Sequence, residues 1–435
     1  MNIPAISVFG LSIFVSVNCL SQTKLTWSDA TSLLYTNSIS LKQAELRELI
    51  AKNSVEISRG SMYPNLYFNA NNQHTLGMIF DQISGKLITG NEWSNYATGT
   101  LGTSIVLYQG GQKQNALKTE QIKLELAALD KERLVRELQL QLLEVFTQAL
   151  INRDLWEAAQ SQMKFAEQQL QQEGTLVEIG KRTLIDYSQA KAKYANDKVN
   201  AVTSKNAFDI SILKLKQLLE LELSEEIILV APEELIIETL VPTYALNNDP
   251  YLNILDKQLE LGEIQIKSTR STYFPTITLN GGYGTNFSSQ RKNFMTGETI
   301  SFWSQINQNR TFSGSLVLTV PIFDGFRTKF NVKNARLNQE NLLYEKKRIR
   351  RERLRTISQS VMEYQGTIEE LEAVQANYDA NKINYDAINE RYKVGKSSSI
   401  DLYKALTEFN ISEFRLITSK YSMFYKREFL LLIDK

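Results

Sequence analysis

The stretch RYKVGKSSSIDLYKALTEF, residues 391–409, reads as a helix end, a glycine turn and a new helix start. Gly395 suits the left-handed conformation that ends helices, and the serines after it suit an N-cap. A similar passage, IGKRTLIDYSQAKAKY, begins at Ile179 and carries Gly180 and Thr183 in the same roles. Two such corners about half a chain apart predict an internal repeat.

Other landmarks keep the same order. SRGSMYPNLYFNANNQ from Ser58 resembles KSTRSTYFPTITLNGGYG from Lys267, with Pro64 against Pro275 (275 − 64 = 211). TSIVLYQGGQKQNALK from Thr103 resembles LVLTVPIFDGFRTKFNVKNARL from Leu316, with Gly110 against Gly325 (325 − 110 = 215). The corner glycines give 395 − 180 = 215. The chain therefore reads as a tandem duplication: a first repeat over 22–225, a linker or collar over 226–244, and a second repeat over 245–435.

Each repeat predicts the same layout. A helix comes first, over roughly 28–59 and 245–270, with apolar residues at helical spacing. After the proline the period drops to two. Leu66, Phe68 and Ala70 alternate with Tyr67, Asn69 and Asn71; Leu101, Thr103, Ile105 and Leu107 alternate with smaller or polar residues. Strands are expected at about 63–76, 96–108, 273–287 and 311–322, forming two hairpins with polar loops between their strands. Long helices follow, from 112 to about 173 and from 327 to about 393, some 60 residues or roughly 90 Å at 1.5 Å per residue. The tip turns fall at about 174–182 and 393–399, and each chain then returns as a helix.

Composition narrows the function. The 435 residues hold 49 basic and 48 acidic side chains, so nothing in the net charge of +1 argues for a nucleic-acid partner. One cysteine excludes an internal disulfide, and one histidine leaves no conventional zinc site. No nucleophile–base pair or phosphate loop stands in the chain, so neither an enzyme nor a cofactor is expected. The basic run KKRIRRERLR at 346–355 is interleaved with Ile349 and Leu354 and reads as a solvated helix face. His74, among Asn71, Asn72 and Gln73, reads as a rim or lumen residue.

The opening MNIPAISVFGLSIFVSVNCLSQ has an apolar run followed by small residues, and reads as a signal peptide over 1–21. Two alternatives stay open: an anchor helix, and a lipoprotein lipidated at Cys19.

Four strands cannot close a barrel, and an open sheet leaves unpaired edges. One face is apolar with flanking aromatics such as Tyr63, Tyr108, Tyr273 and Phe323; the other is small and polar. This pattern suits a membrane barrel with a wet lumen, or a soluble sheet packed by helices. As a barrel, several chains would pool strands: two give eight, and three give twelve with room for a channel. The long helices suit a coiled-coil scaffold or the wall of a bore.

The order of segments, with YFPTITLNGGYG, PIFDGFRTKFNVKNARL and RYKVGKSSSIDLYKA, resembles the TolC-type outer-membrane efflux and secretion duct family. The resemblance covers nearly the whole mature chain. It implies a mostly α protein with transmembrane β-structure: a homotrimer whose twelve pooled strands form a β-barrel in outer-membrane lipid, above a long α-helical barrel crossing the periplasm. It implies a passive exit duct of an efflux pump or type I secretion system. The implied partners are a periplasmic adaptor (membrane fusion) protein and an inner-membrane RND-type or ABC-type transporter.

The resemblance also assigns residues. The tip turns, Ile179, Gly180, Lys181 and Arg182 with Arg391, Tyr392, Val394, Gly395 and Lys396, would contact the adaptor. Asp401 and its counterpart Asp186 would form a periplasmic constriction, where three like carboxylates around a narrow bore attract cations. Lys404 stands where some members carry a second acid, spaced to pair with Asp401. The alternative role for both aspartates is to satisfy a helix N-terminus. A periplasmic coiled-coil scaffold or adaptor-like lipoprotein is the rival reading of the whole chain.

Overall fold

The computed structural model describes residues 23–232, 246, 249–293 and 295–433. The signal segment, Cys19 and residues 233–244 of the expected linker lie outside the described residues. The first half runs β1 (Thr23–Leu25), α1 (Trp27–Asn37), α2 (Ile39–Gly60), β2 (Asn65–Leu76), β3 (Ile79–Asp81), β4 (Lys86–Ile88), β5 (Trp93–Gln109), α3 (Gln112–Glu178) and α4 (Leu184–Leu218). After β6 (Ile227–Leu229) come α5 (Pro250–Ser271), β7 (Thr276–Ser288), α6 (Phe302–Gln308), β8 (Thr311–Thr319), α7 (Arg327–Lys393) and α8 (Ser399–Ile433). The described residues divide into two compact units, one within 43–133 and 246–353, the other within 23–42, 134–232 and 354–433.

The first of these holds an antiparallel four-stranded sheet in the order β2-β5-β7-β8. The expected hairpins β2–β5 and β7–β8 are both present, and β5 pairs with β7 to join them into one sheet. Register sorts the faces, because paired residues share a side. Phe68 pairs with Leu101, Leu101 with Tyr283 and Tyr283 with Phe312, all on the apolar side. Asn69 pairs with Thr100, Thr100 with Gly284 and Gly284 with Thr311 on the polar side.

The ladder starts and ends at prolines. Pro64 and Pro275 precede the first rungs, so the strands begin at Asn65 and Thr276 rather than at 63 and 273. Pro321 offers no N–H, and β8 stops at Thr319 instead of 322. Leu107 was expected on the apolar face; a bulge between Val106 and Tyr108 instead pairs Tyr108 with Ile277. One extra residue flips the alternation beyond it. The expected polar loops between the strands contain the β3–β4 hairpin and α6.

The expected helix over 28–59 is broken. Ser38 leaves helical geometry (φ −50, ψ 117) and its hydroxyl accepts from the Leu41 N–H at 3.3 Å, starting α2 anew. α5 is capped by Asp249, with Pro250 pre-set at its first position. Asp249 also pairs with Arg353 at 2.6 Å, a buried partner to a half-buried cation.

The other unit packs around α3. Leu142, Leu143, Phe146, Ala149 and Leu150 recur at helical spacing and are fully buried. Leu25, Leu34, Leu215 and Leu229 complete the core, and Trp27 packs on Phe146 with ring centroids 5.7 Å apart. Each buried leucine or phenylalanine contributes about 1.5–3 kcal/mol. The parallel pair β1–β6 lies against this core. Arg153 ties it down, donating to the Leu229 carbonyl at 2.6 Å and to Asp154 at 2.7 Å. α3 and α7 each contain 67 residues and absorb Gly174 and Gly366 without a break.

Candidate functional site

The two corners repeat bond for bond. At the end of α3, Gly180 N–H donates to the Val177 carbonyl at 3.0 Å and Lys181 N–H to Leu176 at 2.8 Å. At the end of α7, Gly395 donates to Tyr392 at 3.0 Å and Lys396 to Arg391 at 2.8 Å. Both glycines take positive φ, 72° and 73°, which a side chain resists. The helices run further than the turns at 174–182 and 393–399 implied. α3 passes through Gly174, where a Cβ would meet the Tyr187 ring at 3.5 Å, and ends at Glu178; α8 already begins at Ser399.

The next helices start with matching caps. Thr183 Oγ1 donates to Asp186 at 2.8 Å and accepts from the Asp186 N–H at 3.2 Å. Ser398 and Asp401 do the same at 2.6 and 3.1 Å. This is the reciprocal capping box. Both carboxyls are held below the usual carboxylate range. At Asp186 the Ser399 hydroxyl is the main cause, and at Asp401 the Ser398 hydroxyl.

Contacts between the corners break this symmetry. The buried Tyr392 hydroxyl donates to Glu173 at 2.8 Å. Arg182 lies over the Tyr392 ring, 4.1 Å from its centroid, and donates to the Tyr392 carbonyl at 3.2 Å. Its Nε stands 3.9 Å from the second Glu173 oxygen. Glu173 is 1% exposed, and that oxygen has no hydrogen bond. Ser399 Oγ completes the join, 2.7 Å from Asp186 and 2.9 Å from Gln189. Beneath lies an aromatic cluster in which Tyr385 and Phe409 stack at 5.5 Å.

Of the residues singled out in the sequence, Arg182, Tyr392 and Asp186 are thus gathered into one join. Gly180 and Gly395 make the turns, while Ile179, Lys181, Val394 and Lys396 are exposed on them. Arg391 is exposed, and its charge contributes to the depression of the Asp401 carboxyl. Asp401 bonds to Ser398, and among the described residues no ion pair joins it to the exposed Lys404. Glu173, Gln189 and Ser399 were not foreseen. A glutamate in a long polar helix carries no local mark of burial; only its partner on the other corner makes it distinct. His74 lies at the loop end of β2, paired with Asn95 and 3.3 Å from the Asn72 amide.

The same combination, a sheet with one apolar and one polar face and two capped helical corners, belongs to a fold found in solved outer-membrane proteins. The Campylobacter jejuni CmeC outer membrane channel shares the fold at TM-score 0.81 and 16% identity, covering 100% of this chain and 93% of that one. The Vibrio cholerae outer membrane protein VceC does so at 0.77 and 15%, covering 94% of this chain and 95% of that one. The family model for outer membrane efflux proteins matches residues 30–220 and 241–429, and the chain belongs to that family. Outer membrane protein TolC of Escherichia coli is 22% identical over 274 residues, 62% of this chain and 55% of that protein. The aligned stretch spans about half the length of that curated relative. The protein is accordingly one of the outer membrane.

Proposed function

We propose that the protein is the passive exit duct of a multi-component efflux or type I secretion system. Three chains pool their sheets into a twelve-stranded barrel, with the apolar faces toward lipid and the polar faces toward the lumen. The α3–α4 and α7–α8 hairpins line a helical barrel in the periplasm. The duct has no enzymatic step, and its RND-type or ABC-type partner in the inner membrane supplies the energy. In this reading residues 1–21 are removed on export, 22–225 and 245–435 are the two repeats, and 226–244 is the collar between them. Lipidation at Cys19 is the alternative form of the mature N-terminus.

The observation that carries the proposal is the surface of the corners. Ile179, Leu184, Ile185, Val394 and Ile400 are 58–69% exposed at the two turns. Five large apolar groups left in water at the ends of capped helices suit an apolar partner surface. Lys181, Lys396 and Arg391 flank them with positive charge, favouring an acidic rim on that partner. The adaptor fits this description. Asp186, Asp401 and Lys404 then ring the periplasmic mouth.

The test is extraction and reconstitution of the native protein. The duct predicts heat-modifiable trimers in the outer-membrane fraction and discrete conductance steps in planar bilayers. Ile179→Asp with Val394→Asp should abolish adaptor capture while trimers persist. A monomer released by washing, with no conductance, would instead establish the periplasmic scaffold.

A further inference from the structure

The apolar face of the sheet is not uniform. A groove of about 630 Å³ opens on it, floored by Ala97, Gly99 and Leu101 and walled by Phe68, Phe287 and Trp303. Its depth comes from missing side chains: a Cβ built on Gly99 would meet only the Phe68 ring, at 3.7 Å. α6 forms the roof. The Phe302 ring packs on Phe287 at 5.1 Å, and Thr285 Oγ1 donates to the Ile306 carbonyl at 2.7 Å. Trp303 remains 78% exposed above the groove.

One end of the groove is polar. Asn72 and Asn95 line it, and no charged side chain does. Asn95 Oδ1 is buried and has no hydrogen-bond partner. A buried acceptor left unpaired costs about 1–3 kcal/mol, so a donor delivered there gains on binding.

The geometry points to a bound fatty acyl chain bearing a hydroxyl or amide N–H near its head, with the chain along Gly99 and the donor on Asn95 Oδ1. Continuity selects this occupant: the groove is a hollow in the face that the proposed barrel turns to the hydrocarbon, and Trp303 sits where interfacial aromatics anchor. The inference rests on that membrane reading of the sheet, and not on transport.

Delipidated native trimers in detergent, offered N-(3-hydroxymyristoyl) and O-myristoyl glycolipids of one headgroup, provide the test by native mass spectrometry. One hydroxyacyl amide should be retained per protomer, about tenfold more tightly than the ester, as one hydrogen bond implies. Asn95→Leu should erase that preference, and Gly99→Leu or Ala97→Phe should abolish retention in trimers that stay heat-modifiable. No retention by wild-type trimers, or equal retention by the filled variants, overturns the site. Those outcomes leave the duct untouched, whereas loss of the outer-membrane trimer would remove the membrane reading itself.

Discussion

The Tyr392 hydroxyl donates to the Glu173 carboxylate at 2.8 Å although 219 residues separate them in the chain. This bond, roofed by Arg182, holds the corner of the first hairpin to that of the second.

Tyr392→Phe removes the donor while the other Glu173 oxygen already lacks a hydrogen bond and faces only the Arg182 charge at 3.9 Å. The loss should be about 1–3 kcal/mol, read as earlier thermal melting. In a reconstituted duct the mean conductance should rise as the corners loosen. Unchanged melting and conductance would show that the bond holds nothing.

Alkali should act on the same place. Burial, then Glu173, pushes the Tyr392 phenol up, and burial pushes Tyr403 up to about 12. A folded value above the ordinary value of about 10 means the fold favours the neutral phenol. That contribution is complete below about pH 10 and is lost as pH rises through the folded values. Tyrosinate absorbance should lag behind that of a denatured control, then rise together with loss of helical circular dichroism. Simultaneous ionisation with the denatured control would contradict it.

The two capping aspartates should respond differently. Asp186 is bound by both Thr183 and Ser399, whereas Asp401 is exposed and bound by Ser398. Asp186→Ala should lower melting temperature more than Asp401→Ala. Asp401→Ala should chiefly reduce cation preference in bilayer recordings. Both folded carboxyls lie below their ordinary value, so their contribution is present above about pH 4 and lost as pH falls through the folded values. Identical selectivity of Asp401→Ala and the parent channel would remove the constriction role.

The glycines that leave the second strand of each hairpin, Gly110 and Gly325, have φ of 58° and 67°. A Cβ at Gly110 would lie 2.7 Å from the Ser271 carbonyl oxygen and 2.8 Å from Phe274 Cβ; at Gly325 it meets nothing within 4 Å. Gly325→Ala should therefore cost about 1–2 kcal/mol, from the left-handed backbone alone. Gly110→Ala adds a backbone clash and should sharply reduce the yield of folded protein in the membrane fraction. Equal yields from both variants would contradict the difference.

What the sequence made legible was periodic or punctuated. The alternation in Leu66, Phe68 and Ala70 marked a strand, and Gly180 and Gly395 marked corners, because each signal is local. α7 ends at Lys393 as the spacing implied. The hidden parts depend on distant partners. Glu173 is indistinguishable from its solvated neighbours until Tyr392 and Arg182 close over it. The bulge before Tyr108 exists only in the pairing with Ile277, and α6 is organised by Gln305, whose amide donates to the Ser288 and Ile300 carbonyls at 2.9 and 2.8 Å. Ser38 could have been read as a cap, but helical spacing on both sides masked the break.

The small parallel pair of β1 with β6 also sets an order in time. Thr23 meets Ile227, 204 residues later (227 − 23 = 204). In a chain delivered amino end first, Thr23, Lys24 and Leu25 wait with an open edge while the whole first helical hairpin arrives. Only when Leu229 follows can the Leu25 side chain be sealed into the core. The stitch can therefore close only after the first helical hairpin has been delivered, and Tyr421 joins the same core later still.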